Sequence, residues 1–186
     1  MKTCYLIVLF SLGNAACFAQ ASYQEVPARN GGVDLVGHIS PEQITNPPFG
    51  EWYKVFYEYH EPDKTLIEEF KGDLKKYNVL VFMGTWCSDS QREIPAFIKL
   101  LDEAEFPLDQ LKIVGVHDKG EFYKTSPNGE EWGLQIKMVP TIIFLKDGKE
   151  VNRIVESPLE SLEKDIKQII SGQEYVPNYA DLMKSK

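Results

Sequence analysis

Cys87 is the side chain in this sequence with the plainest capacity for chemistry. It follows an apolar run, Val79-Leu-Val-Phe-Met83, and stands inside Gly84-Thr-Trp-Cys-Ser-Asp-Ser90. A short apolar run of this kind reads as a strand buried on both faces. Gly84 allows a turn after it. Ser88, Asp89 and Ser90 offer helix-capping side chains, so Cys87 is expected where a helix begins. Unpaired N–H groups and the positive end of the helix dipole favour a thiolate there. A thiolate is the species that attacks a disulfide sulfur. Asp89 works in both directions, since its charge opposes the thiolate while its side chain caps the helix. Ser90 stands three residues after the cysteine. It can donate a hydrogen bond to a thiolate but cannot form a disulfide with it.

The elements that must hold this thiol follow from the pattern on either side. A helix is expected from the capping residues to about Glu103, with Ile94, Phe97, Ile98 and Leu101 on its buried face. Pro95 lies inside it and removes a hydrogen bond. Upstream, Asp63 is expected to cap a helix that buries Leu66, Ile67, Phe70, Leu74 and Tyr77. Downstream, Leu111 to Val116 reads as a second buried strand, parallel to the first. Its C-terminal end carries His117 and Asp118 on the sheet edge that holds Cys87, the edge where ligands bind in open α/β sheets. His117 is either a partly exposed polar residue or a group that supports the thiolate. A polar loop follows from Lys119 to Gly133, with a short helix near Glu130 to Leu134. Thr141–Leu145 and Glu150–Val155 form a hairpin about Lys146-Asp-Gly-Lys149. The last helix is expected to open at Ser157-Pro158-Leu159-Glu160 and end at Gly172.

The N-terminal third is less regular. Ala21 to Gly50 holds several chain breakers, with one short strand expected over Val33–Ile39 and a helical turn at Ser40-Pro41-Glu42-Gln43. Trp52 to Tyr59 is dense in aromatics. A helix over it puts Trp52, Phe56 and Tyr59 on one face.

Residues 79–90 resemble the thioredoxin superfamily in the apolar strand, Trp86-Cys87 at its end, a second active-site position at Ser90, and Pro95 beyond. Met138-Val-Pro-Thr-Ile-Ile-Phe-Leu-Lys-Asp-Gly-Lys-Glu150 is similar to the segment in which that superfamily carries a cis-proline facing the cysteine. The resemblance spans roughly Thr65 to Gly172. It implies a cis Val139–Pro140 bond near Cys87, and a backbone there that pairs with an extended substrate. Trp86, Val139 and Pro140 then border the substrate, with Trp86 shielding the thiol. Two departures stand out. Ser90 replaces the usual second cysteine, and Val81 stands where many thioredoxins bury an acid.

Composition narrows the classes further. The 186 residues carry a formal charge of −8, which argues against nucleic-acid binding. Lys2, the apolar stretch Tyr5–Leu12 and Cys17-Phe-Ala19 read as a signal segment cut before Gln20. A lipid anchor on Cys17 is the lesser alternative, because Asn14 stands where a lipobox expects an aliphatic residue. Of the three cysteines Cys4, Cys17 and Cys87, only Cys87 survives that cut. His38, His60 and His117 are far apart in sequence, so no metal site is expected, and no cofactor motif is present.

The expectation is an α/β chain: a signal peptide over 1–19, an N-terminal extension over 20–62, a thioredoxin-like domain over 63–172 with a central mixed sheet flanked by helices, and a tail over 173–186. It is expected to be exported to the periplasm or cell envelope, without a stable membrane span. The expected activity is monothiol exchange, oxidoreductase- or isomerase-like, on a protein disulfide or with a low-molecular-weight thiol. Cys87 is the nucleophile and Ser90 its companion, with Asp89 and His117 in support. The rival class is a catalytically inactive thioredoxin-fold module that binds extended chains. A thiol peroxidase with Thr85 two residues before the cysteine is a weaker third.

Overall fold

The computed structural model describes residues 23–184, so the signal-segment reading lies outside the described residues. Six strands form one sheet: β1 (Tyr23–Pro27), β2 (Val33–Ile39), β3 (Asn78–Met83), β4 (Leu111–Gly115), β5 (Thr141–Lys146) and β6 (Lys149–Val155). The helices are α1 (Pro41–Thr45), α2 (Gly50–Tyr59), α3 (Lys64–Leu74), α4 (Ser88–Glu103), α5 (Leu162–Ile170) and α6 (Ala180–Lys184). The strand order is β1-β2-β4-β3-β5-β6. β3 and β4 run parallel and every other neighbouring pair is antiparallel. This is a mixed α/β sheet with flanking helices, consistent with a thioredoxin-like fold.

Alternation along β3 decides what each face buries. Val79, Val81 and Met83 join the larger core cluster, together with the buried side chains of α1 to α5. Phe82 joins a smaller cluster with Val114, Val116, Ile136, Val139 and Ile143. Helices therefore cover one face of the central strands. The segment between β4 and β5 contributes to the other. It contains turns near Glu130–Leu134, where the sequence suggests a short helix.

The N-terminal extension is built into the sheet. β2 pairs with β4 at Gly37–Gly115, His38–Val114 and Ile39–Ile113, and β1 pairs with β2 outside it. β1 has mostly exposed, polar residues, so it carries none of the apolar alternation by which a strand is recognised in sequence. β2 passes very close to β4 at Gly115, where a Cβ would stand 2.2 Å from the carbonyl oxygen of Leu35.

Three local readings are corrected by the packing. Tyr53 is the buried residue of α2, while Tyr59 is 85% exposed; a helix with aromatics around its circumference does not declare its inner face. Cys87 itself occupies the N-cap position of α4 without a side-chain capping bond, and Ser88, Asp89 and Ser90 lie in its first turn. α5 begins at Leu162, capped by the Ser161 side chain, which accepts from the Lys164 N–H. Leu159 is half exposed before it, and its N–H instead donates to buried Asp165. Residues Ala180–Lys184 form the short α6. Asp63 does cap α3, accepting from the Leu66 N–H at 3.0 Å.

Candidate active site

The Cys87 site is assembled where β3, α4 and the start of β5 meet. β3 ends at Met83, and the Cys87 N–H closes a turn onto the Gly84 carbonyl at 3.0 Å. The Cys87 carbonyl then accepts from the Gln91 N–H at 2.9 Å, beginning the ladder of α4. Gly84 is required by packing rather than by a left-handed turn: a Cβ there would lie 2.5 Å from the Trp86 indole. That indole donates from Nε1 to the Val116 carbonyl at 2.9 Å, which fixes the ring at the end of β4.

Cys87 is partly buried and carries a free thiol. Its sulfur donates to the Val139 carbonyl at 3.2 Å. The Val139–Pro140 bond is cis, and both residues are buried. Pro140 in turn accepts from the Glu156 N–H at 2.7 Å, tying the end of β6 to the same corner. The structure thus brings Trp86, Cys87, Val139 and Pro140 into one place from segments far apart in sequence.

Ser90 is fully buried, and its hydroxyl accepts from the Gly84 N–H at 3.2 Å. No hydrogen bond among the described residues joins it to Cys87. Asp89 is turned toward Arg92, whose Nη2 lies 2.8 Å from its carboxylate.

His117 departs most from its sequence reading. A polar residue at a strand end is ordinarily half in water, yet His117 is only 4% exposed. Its Nε2 faces the Asp34 carboxylate at 3.1 Å, and its Nδ1 faces the Lys119 carbonyl at 3.0 Å. Asp34, on β2, is equally buried, and its other oxygen accepts from the Thr85 hydroxyl at 2.8 Å. Asp34 and Thr85 are both absent from the residues that sequence patterning assigns to the site as partners of His117. The available signal is a single acid in the apolar strand Val33-Asp-Leu-Val36, a position where a charge needs a partner.

A cavity of about 460 Å³ opens beside Trp86 on the side of the N-terminal extension. Arg29, Asp34, Phe49, Trp52, Thr85 and Gln91 are among its walls. Among the described residues no cluster of three or more His, Cys, Asp and Glu side chains is placed to hold a metal ion. Likewise no described helix is long and apolar enough to cross a membrane.

Known proteins similar in sequence are thioredoxins. A thioredoxin H-type of Picea mariana is 29% identical over 94 residues, which cover 50% of this chain and 67% of that protein. Thioredoxin H-type 1 of Nicotiana tabacum is 29% identical over 104 residues, with the same coverage. Thioredoxin H2-2 of Oryza sativa is 26% identical over 106 residues, covering 55% of this chain and 69% of its own. No family model matches. Among solved structures, a protein of unknown function from Pseudomonas aeruginosa aligns at a TM-score of 0.39 and 15% identity, over 72% of this chain and 74% of that one. The curated relatives support a relationship between this chain and the thioredoxin superfamily.

Proposed function

We propose that this chain is a thiol–disulfide exchange protein whose single nucleophile is Cys87. The observation that carries the reading is the placement of the Cys87 sulfur, at the N-terminal end of α4 and 3.2 Å from the Val139 carbonyl that precedes cis-Pro140. A sulfur there is partly open to solvent, lies at the positive end of a helix, and sits beside backbone that an extended chain can pair with.

In the first step the Cys87 thiolate attacks one sulfur of a substrate disulfide. A Cys87–substrate disulfide forms, and the other substrate sulfur leaves as a thiolate. Ser90 offers no sulfur to resolve that bond. A second thiol from solution attacks the substrate sulfur, takes it into a new disulfide, and returns Cys87 as a thiolate. Glutathione or a similar small thiol suits this step. The chemistry is that of a monothiol oxidoreductase or isomerase acting on protein disulfides. Trp86, Val139 and Pro140 line the approach, and Ser90 and Asp89 share the first turn of the helix.

Export to the periplasm or cell envelope belongs to the same proposal. Its support lies in the signal-like composition of residues 1–19 and in the presence of one thiol beyond them.

The test is capture of the mixed disulfide. Incubation with glutathione disulfide should add one glutathione to Cys87, located by peptide mass, and reduced glutathione should remove it. Cys87→Ser should lose both steps. A Cys87 that never forms the adduct would overturn the proposal in favour of a binding module.

A further inference from the structure

Three buried polar side chains behind the reactive loop are not used by the exchange steps. Asp34 and Thr85 are each 3% exposed and His117 is 4% exposed. They come from β2, from the loop after β3, and from the end of β4. The Thr85 hydroxyl donates to Asp34 Oδ1 at 2.8 Å and accepts from the Leu35 N–H at 3.2 Å. Asp34 Oδ2 is held by His117 Nε2, and His117 Nδ1 by the Lys119 carbonyl. Both ring nitrogens thus face oxygen atoms, which holds the ring between β2 and the chain after β4.

Packing alone does not call for this cluster. Apolar side chains of similar volume usually fill a buried site at lower free-energy cost than an acid and its partners. What the cluster achieves is geometric. β2 and β3 are not neighbours, because β4 lies between them. β4 stops at Gly115, and above its end the Thr85 side chain reaches across to β2. The Thr85 carbonyl is fixed as well, accepting from Gln91 Nε2 at 2.7 Å. Cys87 follows two residues later.

We infer that Asp34 is a positioning residue for the Cys87 thiol, acting through the Thr85 hydroxyl while His117 fixes the carboxylate. This rests on the thiol-exchange reading. It makes the N-terminal extension a working part of the site.

Thr85→Val removes the hydroxyl at nearly constant volume, and Thr85→Ser keeps it. Two rates are measured on the full chain, with label at Cys87 quantified by peptide mass: alkylation by iodoacetamide, and adduct formation with glutathione disulfide. Both are taken below the melting temperature of every variant. Misplacing a reactive group from a distance can cost up to about a hundredfold, so Thr85→Val should slow both reactions by roughly tenfold or more. Thr85→Ser should stay within about twofold of the wild type, because it retains the hydrogen bond. Asp34→Asn should slow them in the same direction. Asp34→Asn combined with Thr85→Val should be no slower than Thr85→Val alone, since both act through one hydrogen bond.

A Thr85→Val protein that melts earlier yet reacts at the wild-type rate would reduce the cluster to a structural role. Fully additive effects would show that Asp34 does not act through Thr85. A wild-type protein that alkylates but forms no glutathione adduct would instead fail the exchange reading, and the alkylation rates would still decide the positioning one.

Discussion

Gly115 lies against Leu35 so closely that a methyl group on it would stand 2.2 Å from the Leu35 carbonyl oxygen. The obstacle is backbone, so a rotamer change cannot relieve it. Gly115→Ala must push β2 away from β4, and overpacking of this kind costs about 1–3 kcal/mol. Chemical denaturation should show a lower midpoint with little change in slope. The same displacement should loosen the contact between Asp34 and Thr85, so Cys87 labelling should slow in the folded variant. A midpoint equal to that of the wild type would mean that β2 does not seat on β4 as described.

Glu163 provides a pH test of the seam between α5 and the chain before α3. Burial alone would raise its pKa. The nearby His60 ring, its own backbone N–H and the Ser161 hydroxyl outweigh burial and hold it down at about 2. His60 Nε2 lies 3.3 Å from the carboxylate. A depressed folded-state pKa means that the unfolded chain takes up a proton first as pH falls. The stabilisation is therefore whole above about pH 4.5, the ordinary value, and lost progressively toward pH 2. Glu163→Gln should flatten the acid limb of a stability–pH curve over that window. An unchanged acid limb would show that the carboxylate is not held in this way.

Ser90→Cys separates the exchange mechanisms most directly. The wild type should reduce the disulfides of insulin poorly by itself and gain turnover when glutathione is added, because the mixed disulfide waits for an outside thiol. Ser90→Cys should form a disulfide with Cys87 and work without glutathione, given a reductant that recycles it. Cys87→Ser in that background should abolish the gain. A Ser90→Cys protein that oxidises readily but exchanges with no substrate would favour the binding module.

Export is tested by intact mass. The protein recovered from the cell envelope should begin near Gln20 and carry no lipid. A diacylglycerol on Cys17 would redirect the reading to an anchored form, and an uncleaved chain would remove the export proposal.

Much of the fold around the thiol is legible in the sequence because its elements bury continuous apolar runs. β3, β4 and β5 are such runs, and β2 was recognisable despite the acid within it. The Asp63 cap and the β5–β6 turn follow from residues that favour those conformations. β1 was not legible, since an exposed edge strand spelled Tyr-Gln-Glu-Val-Pro has no apolar face. The inner face of α2 was hidden because aromatics surround the helix. The first turn of α4 holds three residues with capping chemistry, and which residue takes the N-cap position is decided by where β3 delivers the chain. The burial of His117 was hidden for a different reason. Its ring faces Asp34, and no local pattern connects two residues so far apart in sequence.

The order of strands also sets a sequence of events in folding. β1 and β2 are made first and can pair with each other as a hairpin, but β2 carries Leu35, Val36 and Ile39, all fully or almost fully buried in the finished protein. The strand that lies beside β2 on its other edge is β4, which begins at Leu111. Until that segment arrives, the hairpin presents apolar side chains and an open row of backbone groups, a combination that invites association with other chains. Distant pairing of this kind also slows folding, because a long loop must close before the contact forms. A chain halted before Leu111 would contain Asp34, Thr85 and Cys87 and would have no strand to bring them together.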